Sequence, residues 1–145
     1  MRRAILSLAA GLMMLTATAA SATFHTYQIQ QIFSNADGSV QFMVLHEAVG
    51  FNGQEFLTGH TLTSQQSGGM AKQIVFPNDL GSNNTAGTFV LIATQGFAAL
   101  NLVTPDYVVP NNFIPLTNGT INYAQVDQVS YNALPTDGVS AIDRN

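Results

Sequence analysis

The chain has 145 residues, no cysteine, no tryptophan and a charged fraction of 8%, against about 25% in an average soluble domain. Four basic residues face eight acidic ones, for a net charge of −4, which leaves no basic patch to neutralise nucleic-acid phosphates. Without cysteine there is neither a disulfide framework nor a thiolate metal site, and the length suits one domain.

Residues 1–22 read as a secretory signal peptide. Arg2 and Arg3 supply the positive start, residues 4–15 the apolar stretch, and Ala20-Ser21-Ala22 the small-residue cleavage pattern. The stretch is shorter than the roughly 20 apolar residues of a membrane span. Sec-type export is therefore expected, with a secreted or periplasmic product at residues 23–145 and no membrane span after cleavage. Lys72 and Arg144 are then the only cations left, and the C-terminal residues 140–145 carry no anchor pattern.

Beyond the leader, period-two alternation predicts short strands. Tyr27, Ile29, Gln31 and Phe33 share one face, with Ile32 on the other. Asp37-Gly38 marks a hairpin turn, because glycine accepts positive φ. Residues 40–45 are apolar on both faces beyond Gln41, as in a central strand, and Phe42 is expected to point inward. Residues 57–64 alternate again. Residues 73–76 form a strand stopped by Pro77, which lacks the N–H a ladder needs. Residues 89–93 are the most apolar run and the expected centre of the core, with Leu91 inward. Residues 95–100 suit one short helical turn. Asn118-Gly119 reads as a turn before late strands at 121–123 and 126–131, and 104–115 reads as loop. Evenly spaced strands of this kind predict an all-β, antiparallel β-sandwich.

The order of motifs resembles the lamin-tail domain. Ile29-Gln30-Gln31-Ile32, Gln41-Phe42-Met43-Val44-Leu45, Leu57-Thr58-Gly59-His60-Thr61-Leu62, Ile74-Val75-Phe76-Pro77 and residues 85–92 follow that family's strand motifs in sequence. Ser34 to Phe42 and Leu134 to Gly138 resemble a variant found in secreted bacterial proteins. The resemblance implies an immunoglobulin-like β-sandwich and a non-catalytic binding or structural module, with no catalytic residues to carry over. Gln31, Val44 and His60 stand where the family has glutamates and an aromatic residue.

His46-Glu47-Ala48-Val49-Gly50 begins like the zinc-protease H-E-x-x-H pattern but ends in glycine. His60 with Glu47 or Glu55 forms a site only if the fold unites them. Calcium is the better metal candidate. Asp37, Asp79, Asp127 and Asp137, with Asn35, Asn83 and Asp106, all fall in predicted loops and supply oxygen ligands. The same residues also cap turns. Tyr107, Phe113, Tyr123 and Tyr131 are candidates either for a carbohydrate-binding face or for core packing. The expected function is a secreted structural or binding module whose partner is an extracellular protein or polysaccharide. The alternatives are a hydrolase using a loop carboxylate pair, and a self-assembling matrix or fibre subunit formed through uncharged strand edges.

Overall fold

The computed structural model describes residues 24–144, so the leader read at residues 1–22 lies outside them. Strands β1 (Tyr27–Ser34) and β2 (Gln41–Glu47) form the first hairpin. Their turn is built as its residues dictate: Gly38 sits at φ +71, and Asp37 Oδ1 accepts the Ser39 N–H at 2.9 Å. A β-bulge between Ile29 and Gln31 breaks the period of β1. The alternation predicts Phe33 inward and Ile32 outward. One extra residue reverses the phase, so Ile32 and Ser34 are buried and Phe33 stacks on Phe42 outside.

The chain continues through β3 (Thr61–Gln66), β4 (Lys72–Val75), β5 (Phe89–Thr94), the single-turn helix α1 (Gln95–Ala98), β6 (Tyr107–Val109), β7 (Thr117–Tyr123), β8 (Asp127–Ala133) and β9 (Ile142–Asp143). Two sheets pack face to face, with orders β6-β5-β2-β1-β9 and β4-β3-β7-β8. The protein is an all-β sandwich. It is not antiparallel throughout, because β6 runs parallel to β5. A parallel neighbour requires a crossover, and residues 95–106 with α1 provide it. Among the described residues, no helix is long and apolar enough to cross a membrane.

Strand boundaries also differ from the alternation. Residues 57–60 form a turn in which Gly59 has φ +80 and donates to the Phe76 carbonyl, so β3 starts only at Thr61. Asn118 and Gly119 lie inside β7, where Asn118 takes a left-handed φ of 46° instead of forming a separate turn. The central place in the larger sheet belongs to β2, as the apolar run at 40–45 predicts.

The core lies between the sheets, around Tyr27, Ile32, Met43, Phe76, Ile92 and Tyr123. Phe76 presents ring edges to Tyr107 and Tyr123 with centroids 4.8 and 6.0 Å apart, a favoured aromatic geometry. Leu91 and Phe42 are not in it. On β5 the inward residues are Val90 and Ile92, and on β2 they are Met43 and Leu45. A run that is apolar on both faces carries no period to indicate which face turns in. Ile92→Ala should therefore cost about 2–5 kcal/mol in chemical denaturation. Leu91→Ala should cost only about 1 kcal/mol, since its half-open site closes to solvent instead of leaving a cavity.

Candidate binding surface

The inward face of β2 ends in a polar residue at each side, Gln41 and Glu47, both fully buried. Gln41 donates its side-chain amide to the Ser34 hydroxyl at 3.0 Å and the Ile114 carbonyl at 2.7 Å, and accepts the Ile114 N–H at 2.9 Å. At the other end, Gly50 at φ +91 turns the following loop so that successive N–H groups face the carboxylate. Glu47 accepts from Val49 at 3.2 Å, Gly50 at 2.9 Å, Phe51 at 3.1 Å and Gly87 at 3.0 Å. Burial alone would raise this carboxyl. The backbone donors of Gly87, Phe51 and Gly50 outweigh it and hold Glu47 below the ordinary glutamate value. Thr85 ties the same loops together, donating to the Phe51 carbonyl and accepting the Gln54 N–H.

The acidic loop residues are used in the same manner. Asp37 is held low by the Ser39 hydroxyl and N–H. Asp79 is held low by Thr58, whose N–H it accepts at 2.8 Å. Asp137 is pushed down to about 2 by the Ser140 hydroxyl and by the Ser140 and Val139 N–H groups. Asp127 opens β8 instead of lying in a loop. Burial opposes its ionisation, but Arg144 at 2.6 Å and the Ile29 N–H at 2.8 Å lower it overall. Asp106 accepts the Leu91 N–H at 2.7 Å. The four calcium candidates occupy separate stretches of chain, each turned to its own backbone donors. Among the described residues, no three His, Cys, Asp or Glu side chains are placed to hold a metal ion.

His46 and Glu47 point to opposite faces of β2. His46 stacks on Phe89 at 4.3 Å on the outside, while His60 packs on Phe24. Tyr107, Phe113 and Tyr123 belong to the core, and Tyr131 is half-buried with its hydroxyl donating to the Pro115 carbonyl at 2.6 Å. These four aromatics therefore serve packing and do not form a carbohydrate platform.

The feature that the alternation misses is the outer face of the larger sheet. The register places Phe33, Phe42, Ala93 and Val108 in one row across it, then Gln31, Val44 and Leu91, then Gln28, His46 and Phe89. At the β9 edge Asp143 extends the second row, accepting from the Gln31 amide at 3.1 Å; from β1 to β6 the rows carry no aspartate, glutamate, lysine or arginine. Phe97 of α1 packs edge-on against Phe42 at 5.6 Å. Beside it, Leu102, Val103, Pro105 and Val108 line a groove of about 260 Å³. Phe89 is 59% exposed, Val108 52% and Leu102 77%, a contiguous apolar exposure of the kind that marks interaction sites. The outer face of the smaller sheet is different in chemistry: Thr63, Gln65, Gln73, Thr120, Asn122, Gln128 and Ser130 project from it. The signal for the apolar face was the two-sided hydrophobicity of residues 40–45 and 89–93.

Compared with protein families, curated proteins and solved structures, the chain matches none of them.

The Glu47 geometry sets a pH dependence. Its folded value lies below the unfolded one, so its stabilisation is complete above the ordinary glutamate value of about 4.3 and is lost as pH falls through the folded value. Glu47→Gln should cost about 2–3 kcal/mol at neutral pH, the scale of hydrogen bonds to a charged group. The gap between the two proteins should narrow in denaturation curves recorded below about pH 4.3.

Proposed function

We propose that this chain is an exported, non-catalytic binding module of the immunoglobulin-like, lamin-tail type, acting at or beyond the cell surface. It engages an extracellular protein through the outer face of the five-stranded sheet. The observation that carries this reading is the open apolar face of Phe89, Leu91, Val44 and Val108 beside the Leu102–Val103 groove. Its aliphatic character suits the apolar side chains of a protein partner; a sugar-binding platform would set hydrogen-bonding groups around an open ring.

Two further observations support the class. Adjacent β1, β2 and β5 in one sheet, with order β4-β3-β7-β8 in the other, accord with immunoglobulin-like topology, in which hairpins and one longer crossover build two packed sheets. The charged start and apolar run of residues 1–22 support export. Glu47, Asp37, Asp79, Asp106, Asp127 and Asp137 are each engaged with backbone donors.

The test places a photo-crosslinking residue at position 89 or 108, with position 63 on the other sheet as control, in producing cells. Positions 89 and 108 should capture the same protein, position 63 should not, and Leu91→Gln should reduce the yield. Equal capture from all three positions, or capture of polysaccharide alone, overturns the reading.

A further inference from the structure

The four sheet edges are unequal. In the larger sheet the edge strands are β6, of three residues, and β9, of two. Short edges offer little to pair with. In the smaller sheet, β4 begins with Lys72 and is followed closely by Pro77, a charge and a proline that protect an edge. β8 carries the same two marks, Asp127 at its start and Pro135 two residues past its end, but Asp127 is paired with Arg144 and the strand is the longest of the four edges. It runs for seven residues, pairs only with β7, carries no charge from Gln128 to Ala133, and meets no proline before Pro135. Among the described residues, the main-chain groups on its free side have no neighbouring strand. At its start the Gln128 N–H turns back to Asp127 Oδ1 at 2.9 Å.

β8 is also complementary to itself. Laid antiparallel on a second copy along its full length, it places Ser130 on the two-fold axis opposite the second Ser130. Gln128 then faces Asn132, Val129 faces Tyr131, and Asp127 faces Ala133. These are hydroxyl, amide and aliphatic–aromatic pairs, the types that stabilise neighbouring strands, and no carboxylate meets another. The exposed rows already run this way: Asn122 donates to Gln128 at 3.2 Å and Thr120 shares a hydrogen bond with Ser130 at 2.9 Å. Pairing would extend both rows into the second copy. A two-fold contact of β8 with itself uses both β8 edges, and β4, the opposite edge, has only four residues beginning with a charge, so growth stops at two copies, as in an isologous contact.

We propose that β8 is a homodimerisation edge, joining two copies antiparallel about Ser130 into one continuous sheet and leaving both apolar outer faces open. Sedimentation of the exported chain over a wide concentration range should show a monomer giving way to a dimer and to nothing larger. Ser130→Lys sets two ammonium groups opposite each other, and should weaken the dimer at least about tenfold. Ser130 is exposed, so the melting temperature of the monomer should stay unchanged. The chain has no cysteine, so Ser130→Cys gives an independent readout: a short thiol-reactive linker should join two copies at position 130, and should fail to do so for Thr63→Cys. A monomer at every concentration, an unweakened dimer in the lysine variant, open-ended polymers, or crosslinking as efficient at position 63 as at 130 overturns the proposal.

Discussion

β2 is the middle strand of the larger sheet, and its inward face is polar at both ends and apolar between them. Everything around it depends on how those two ends are satisfied. A buried glutamate without partners would be prohibitively costly. Glu47 instead gathers backbone N–H groups from the 49–51 loop and from Gly87, fixing the segment that leaves β2 and the one that enters β5. Gln41 does the corresponding task at the other end with neutral chemistry, clamping Ile114 through both its N–H and its carbonyl. Between them, Met43 and Leu45 pack into the core. In a chain with so few charges, buried polar groups are matched largely by backbone and amide partners, and the acids serve the same end.

That use of the acids shapes the surface. With Asp37, Asp79 and Asp137 drawn into turns, Asp106 onto the β5 backbone and Asp127 into the Arg144 pair, the outer faces of both sheets carry few charges, Asp143 at the β9 edge among them. They nevertheless differ. One is a polar array of amides and hydroxyls, and the other an apolar array centred on Val44, Leu91 and Phe89. An uncharged sheet edge invites pairing, whereas an uncharged apolar face invites a partner. The sandwich keeps these two properties apart on different sheets, so the assembly proposed through β8 and the recognition proposed through β2, β5 and β6 use separate surfaces.

Local chemistry was readable wherever it decided the outcome. Asp37-Gly38 specified a hairpin turn, Pro77 ended β4, and residues 95–100 suited one short helical turn, which forms at Gln95–Ala98. Facing was not readable where tertiary context decides it. Residues 89–94 are apolar on both sides, so their orientation depends on which face the opposite sheet covers. In β1 a single bulge exchanged Ile32 for Phe33. β6 and β9 are too short to carry a period. The site was hidden for a related reason. His46-Glu47 suggests metal chemistry until the strand sends the two side chains to opposite faces, and Glu47 is recognisable as a loop anchor only once Gly50 and Gly87 are seen beside it.

The capping role of Glu47, Asp37, Asp79, Asp127 and Asp137 toward backbone N–H groups underlies the fold. Side-chain carboxyl NMR titration, run with and without calcium, tests it most directly. The account predicts that Glu47, Asp37, Asp79, Asp127 and Asp137 titrate below ordinary carboxylate values, each unaffected by calcium. A group of these residues shifting together on calcium addition, or Glu47 titrating above the ordinary glutamate value, would contradict it.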